Sequence, residues 1–448
     1  MSHGTASDKQ QQLHLYPIEI GDEAKSGLLE DDAPVTFIPL MERVLDKENL
    51  QNAYHRVRRN KGGAGIDGVT VDDLPALIKT HWTTIRTQLL EGSYQPQAVK
   101  QVLIPKAGGG ERKLGIPTVL DRLIQQALLQ VLQSEWDQTF SHSSYGFRPQ
   151  RSGHQAVAQS QQTINEGYQW VVDMDLEKFF DRVNHDKLMC RVKQRVDDKR
   201  ILTLINRYLK AGVMVEGRHE ASAEGTPQGG PLSPLLANLL LDDLDKELAR
   251  RGLRFVRYAD DCNIYVKSKR AGERVLASIT RWLKKVLKLT VNAVKSGVDR
   301  PWNRSFLGFT FTRTKTEKRR KVSDKSVNRF KDNVRVITRR TQGRTLRYVL
   351  KALNIYLVGW RGYFGYAEVK STFSYLDKWL RRRLRCYLWK QWGRRQYREL
   401  RKRGVERFLA WNTAKSAHGP WRISRSPALN QALPNKYFRH VGLTSLAV

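Results

Sequence analysis

Three scarcities narrow what this sequence can be. Cysteine occurs only as Cys190, Cys262 and Cys386. They are too scattered for a disulfide framework, a CxxC pair or a zinc-binding Cys/His spacing, and they fit a reducing cytoplasm. Long apolar runs are missing. No stretch approaches the ~18 apolar residues of a membrane helix, and the longest, 231–241, is interrupted by Ser233 and Asn238. The first residues have neither the basic region nor the apolar region of a signal peptide, so none is expected. Acidic residues are few: 44 Asp and Glu stand against 79 Lys and Arg, a net charge of +35 over 448 residues.

That imbalance calls for a polyanionic partner, most simply nucleic acid. An anionic membrane is the other candidate, but the basic residues spread over several segments and form no terminal amphipathic anchor. A hydrophobic content of 40% with 11 Trp excludes a wholly disordered chain. The exception is residues 1–35, where seven Asp and Glu face two Lys; this reads as an acidic flexible tail. Between 311 and 410 the charge is concentrated, with 30 Lys and Arg against 7 Asp and Glu, and six of the Trp lie within 360–421. Basic density interleaved with aromatics suits a nucleic-acid surface better than a merely solvated face.

Periodicity organises the rest. Helical segments from 37 to 97 surround a glycine-rich loop at 61–68. A strand is expected at Val102–Ile104, then a basic glycine loop from Lys106 to Lys113. Asp121 reads as an N-cap, with Leu123, Ile124, Ala127, Leu128, Val131 and Leu132 on one helical face behind it. Trp170–Asp175 reads as a strand, and 176–183 as helical. A loop at 225–230 leads to Ser233 as N-cap and Pro234 at the first position of a buried helix. Residues 253–266 read as a hairpin, 270–287 as an amphipathic helix, and 289–292 and 306–309 as short strands. Leu346–Trp360 and Leu376–Leu388 carry helical spacing.

The hairpin holds Tyr258-Ala259-Asp260-Asp261, with the acidic pair expected at its tip. Two carboxylates in a tight turn are costly unless a cation binds, and magnesium takes carboxylate and phosphate oxygens. An Asp-Asp turn can also be plain solvated surface, so context decides. Here a third carboxylate, Asp175, ends a neighbouring strand. Carboxylates from two adjacent strands can surround two metal ions about 4 Å apart, as nucleotidyl transfer requires. The main-chain carbonyl of Leu176 is a further ligand candidate at that strand end. Lys106 and Arg112 flank three glycines that would let backbone bend over phosphate oxygens.

These residues together closely resemble the reverse transcriptases encoded by bacterial group II introns, which also act as maturases. The resemblance runs from about 45 to 446. Its blocks are Lys61–Thr70; Ile104-Pro105-Lys106 with Gly115–Thr118 and Asp121-Arg122; Ser144–Pro149; Asp175 with Phe179–Asp181; Gly225–Pro231; Tyr258–Asp261; Asn292 with Lys295-Ser296; Phe306–Gly308; Leu353-Asn354 with Gly359-Trp360 and Tyr363-Phe364; and Arg382–Arg385. The resemblance implies an α+β right-hand polymerase with a helical thumb. The expected division is the tail at 1–35, fingers and palm at 36–313, a basic thumb or maturase domain at 314–400, and a DNA-contacting segment at 401–448.

It also implies roles. Asp175, Asp260 and Asp261, with the Leu176 carbonyl, would hold two Mg2+ ions. Phe180 would be the steric gate against a ribose 2′-hydroxyl, Gln228 would contact the incoming dNTP, and Lys106 and Arg112 would grip its triphosphate. Lys295 would protonate the leaving pyrophosphate. Asp173, Asp181 and Asp186 match no metal position and read as local hydrogen-bonding groups. The partners would be intron RNA as template and splicing substrate, a DNA primer or target, and dNTPs, with no membrane. The location would be the bacterial cytoplasm, at the nucleoid when DNA is bound. With only Cys386 in the later half, the paired-cysteine endonuclease module of many relatives is expected to be absent. Two rival readings remain: an RNA-binding splicing cofactor with a dispensable polymerase site, and a free-standing reverse transcriptase used in repair or defence.

Overall fold

The computed structural model describes residues 38–105, 110–215, 218–220, 224–226, 229–314 and 316–447. The expected tail at 1–35, Lys106 and Gln228 lie outside them. The fold that follows is that of the compact unit beginning at Leu40.

Ten strands occur among the described residues: β1 Val99–Pro105, β2 Glu111–Ile116, β3 Trp170–Asp175, β4 Val213–Val215, β5 Arg218–Glu220, β6 Arg254–Tyr258, β7 Asp261–Val266, β8 Gly297–Asp299, β9 Phe309–Phe311 and β10 Arg320–Val322. They form a sheet of order β2-β1-β4-β5, a central antiparallel sheet of order β6-β7-β3-β8, and the pair β9-β10.

The central sheet is covered on both faces, and strand alternation sorts its residues between two cores. Val172, Met174, Cys262 and Ile264 pack into one core with the helices Val119–Trp136 and Ser233–Arg250. Val171, Val256 and Tyr265 pack into the other with the helices Leu346–Phe364 and Ser371–Trp392. The basic helical part is thereby built onto the back of the sheet. His154 stacks on Tyr363 and Tyr366, and the Tyr363 hydroxyl donates to the Leu307 carbonyl at 2.9 Å, across the same junction. Buried Asp377 holds the last described residues by accepting from the Ser445 hydroxyl and the Leu446 and Ala447 amides.

Local detail departs from the sequence reading at several points. The helix after β2 is capped by Thr118, not Asp121. Asp121 sits a turn inside and is buried, accepting from the Thr118 hydroxyl, the Tyr94 hydroxyl and the Gln97 amide. Leu232 takes the cap position before Ser233, which moves Pro234 one place in. The stretch 176–183 contains only one 3-10 turn, Phe179–Asp181. Residues 289–292 contribute a single bridge, Leu176 to Val291.

Candidate active site

The β6–β7 hairpin closes so tightly that Tyr258 pairs with Asp261, leaving Ala259 and Asp260 as the turn. Asp260 is therefore at the tip, whereas Asp261 already belongs to β7. The cross-strand register sets Asp261 opposite Asp175 at the end of β3, where directly opposed residues lie ~5 Å apart. Three of the expected metal ligands thus meet at one corner of the sheet. The chain continues past Asp175 through Leu176, whose bridge to Val291 ties this strand end to the loop that carries Lys295.

Electrostatics register the crowding. Burial pushes Asp261 up to about 8, with Asp173, Asp260 and Asp175 adding to the rise. Asp260 is raised by burial and by Asp175, against the pull of Arg112 and Lys295. Asp173, one pleat behind Asp175, is raised to about 6 by burial, although Arg304 opposes the shift. The corner is a site of unfavourable negative charge that a cation would relieve.

Among the described residues no three acidic, His or Cys side chains converge into a ready-made metal cage. That is compatible with magnesium, which keeps waters and takes only one or two carboxylates together with substrate phosphates. The donor set is all oxygen, with Asp260 and Asp261 raised by burial and then by neighbouring carboxylates, and fits such an ion.

Lys295 lies at this corner, its ammonium 3.3 and 3.4 Å from the two Asp175 oxygens. Its loop is pinned to β3: the Asn292 amide donates to the Asp175 carbonyl, the Asp175 amide donates to the Ser296 hydroxyl, and the Asn292 side chain accepts from the Lys295 amide. Arg112 stands exposed on β2, close enough for its charge to act on Asp260. Phe180 is half-buried, edge-on to Phe179 with ring centres 5.2 Å apart. Its carbonyl accepts the Thr226 amide at 2.7 Å, so the loop entering Gln228 is stitched to the Phe180 turn. Gly225, at φ +90°, has room for no side chain there: a Cβ would meet the Phe180 and Asp181 carbonyl oxygens at 2.9 Å.

Sequence reading missed the support beneath the acidic turn. Arg257 is fully buried and forms a two-pronged ion pair with Asp245 at 2.7 and 2.6 Å. It also donates to the Ala259 carbonyl at 2.9 Å, to Asn238 at 3.0 Å and to the Ser144 hydroxyl at 2.8 Å. Ala259 holds φ +57°, a left-handed conformation that costs a residue with a Cβ about 1 kcal/mol. Arg257 offsets that strain. No local pattern marks this arginine, because its partners Asp245, Asn238 and Ser144 come from other segments.

Gly146 completes the support. Its main chain runs so close that a Cβ would lie 2.3 Å from the Ala259 nitrogen, and its carbonyl accepts from Asn238 at 2.8 Å. Because backbone would have to move on both sides, Gly146→Ala is expected to cost about 2 kcal/mol or more in urea unfolding; a loss below ~0.5 kcal/mol would show the turn to be loosely held.

Residues 104–311 match the model of the reverse transcriptase (RNA-dependent DNA polymerase) family. The strand ends bearing Asp175, Asp260 and Asp261 all fall inside that match, so the chain carries a reverse transcriptase domain. Residues 327–404 match the group II intron maturase-specific domain, so a maturase-specific domain follows the reverse transcriptase domain in this chain. The chain is 34% identical over 229 residues to the group II intron-encoded protein LtrA of Lactococcus lactis subsp. cremoris, covering 51% of this chain and 38% of that one. It is 38% identical over 220 residues to protein YkfC of Escherichia coli K12, covering 48% and 58%. The matches thus span less than two thirds of either relative. A chain of a partial Cas6-RT-Cas1–Cas2 complex is 26% identical with a TM-score of 0.36, covering 56% of this chain and 43% of that one.

Proposed function

We propose that this protein is an RNA-directed DNA polymerase that extends a DNA primer on an intron RNA template, and that it also binds that RNA to assist splicing and mobility. The observation that carries the reading is the meeting of Asp175, Asp260 and Asp261 at one sheet corner, under the field of Arg112 and beside Lys295. In this reading residues 36–313 are fingers and palm, 314–400 the thumb or maturase domain and 401–448 a DNA-contacting segment. The matched maturase-specific domain supports intron RNA as partner. No described helix is long and apolar enough to cross a membrane, and the three cysteines are free; we place the protein in the cytoplasm, at the nucleoid when it holds DNA.

Asp175, Asp260 and Asp261, with the Leu176 carbonyl, would hold two magnesium ions. When bound, these ions favour the ionised primer 3′-hydroxyl and neutralise charge on the triphosphate. The protein does the rest. Arg112 and Lys106 draw in and orient the triphosphate so that the 3′-oxygen attacks the α-phosphorus as the bond to pyrophosphate breaks. Lys295, whose side chain is 65% exposed, supplies a proton to the departing pyrophosphate. Gln228 contacts the incoming nucleotide, and Phe180 fills the space of a 2′-hydroxyl.

Primer extension on a defined RNA template with dNTPs and Mg2+ tests the reading. Full-length cDNA from the parent and none from Asp260→Ala is the expected result. A folded, RNA-binding parent that extends nothing would overturn it in favour of a splicing cofactor. Phe180→Val is expected to raise ribonucleotide incorporation relative to deoxynucleotide by about tenfold or more, since one to two methylene-sized groups of pocket space are worth that much discrimination. An unchanged ratio in single-nucleotide extension would remove Phe180 from the gate.

A further inference from the structure

The helix Arg407–Lys415 turns Ala410 and Thr413 inward and presents Phe408 and Trp411 to solvent, 71% and 51% exposed. Spacings of three and seven put Phe408, Trp411 and Lys415 on one helical face. Tyr397, from the helix Gln396–Lys402, meets Trp411 edge-on at 5.7 Å, and the Lys415 ammonium lies 5.0 Å from the Trp411 ring. Among the described residues nothing covers this aromatic patch, and Phe408 is the most exposed of their aromatic rings. Its surroundings are strongly basic: residues 394–425 hold ten Lys and Arg against Glu399 and Glu406. Both acids are occupied internally. Glu399 pairs with Arg403, and Glu406 accepts the Phe408 and Leu409 amides as a helix cap.

A duplex keeps its bases stacked inside and asks for charge rather than bare rings. Exposed rings inside a positive field suit unpaired bases, which stack on aromatics while the phosphates meet the cations. Folded RNA offers such bases in loops and bulges, where RNA recognition is concentrated. The patch also straddles the end of the matched maturase-specific domain at residue 404. We infer that Phe408 and Trp411 form a stacking platform for unpaired bases in a loop of structured RNA, so that the first helix of the segment read above as DNA-contacting takes RNA instead. This deepens the reading of the chain as an intron-RNA-binding reverse transcriptase and rests on it.

The test uses the full-length chain and three fluorescent probes: an RNA hairpin with a wide unpaired loop, a fully paired RNA duplex of equal charge, and the loop sequence as single-stranded DNA. Phe408→Ala/Trp411→Ala is expected to weaken wide-loop binding by about tenfold or more, to leave the duplex within about twofold, and to leave the salt dependence of binding unchanged, because no phosphate contact is lost. Trp411→Phe should retain most of the affinity. Equal weakening on duplex, weakening confined to the DNA probe, or no weakening at all would each overturn the inference. So would a smaller assembly in the double variant than in the parent without loss of RNA binding, which would mark a protein interface. Primer extension by the parent on a linear template tests the polymerase reading separately, so either can fail without the other.

Discussion

Asp261→Asn is expected to abolish cDNA synthesis while making the metal-free protein more stable at about pH 8. The two effects come from one carboxylate. In the unfolded chain Asp261 ionises near ~3.9, whereas in the fold burial and three neighbouring aspartates push it up to about 8. Between those values the folded protein holds a proton that the unfolded chain has released, so this group makes stability fall as pH rises. The penalty is absent below about pH 4, grows through the window and is complete above about pH 8. Asparagine cannot ionise and escapes it. The variant should therefore gain on the order of 2–4 kcal/mol over the parent in urea unfolding at about pH 8 with chelator present, and close to nothing at about pH 4. Magnesium should stabilise the parent at about pH 8 and the variant less, since binding releases the same proton. A variant no more stable than the parent at the higher pH would mean that burial and the neighbouring aspartates do not penalise the ionised Asp261. Retained polymerase activity would remove Asp261 from the metal site.

Much of this site was legible because its chemistry is carried by short local patterns. The hairpin around Tyr258–Asp261 announces itself through β-branched and aromatic flanks, and Trp170–Asp175 reads as a neighbouring strand, but the register that sets Asp175 opposite Asp261 comes from the fold. The helices of the maturase-specific domain were equally plain, since Leu353, Leu357 and Trp360 repeat at helical spacing and are buried as that spacing requires. What local pattern could not supply was contact at long range. Asp121 resembles an N-cap in sequence, but Tyr94 and Gln97 draw it inside and Thr118 takes the cap. The stretch 176–183 has helical composition, yet its carbonyls serve the loop at 225–226 and it closes only one 3-10 turn. Arg257 looked like one more basic residue in a basic chain. Its burial depends on Asp245, Asn238 and Ser144 arriving from two other segments.

Arg257 also gives the prediction that separates folding from positioning. Arg257→Met should cost about 3–5 kcal/mol, because Asp245 is then left as an unpaired charge with no exposure to water. A loss of that size is a large part of the stability of any domain, so low yield and a much lower urea midpoint are expected, and lost activity alone would be uninformative. Adding Asp245→Leu removes the stranded charge, and apolar replacement of a buried pair is often neutral or better. The double variant should recover most of the stability. It does not restore the donor to the Ala259 carbonyl, which helps hold a left-handed residue directly before Asp260. The Asp260 carboxylate should then sample positions off its aim, and a displacement of about 1 Å can cost about a hundredfold in rate. The expected result is a double variant close to the parent in urea unfolding, with primer extension reduced at least about tenfold and binding of template and primer unchanged. Full activity in that variant would show that Gly146 and the strand register alone hold the turn, and that Arg257 serves only the core.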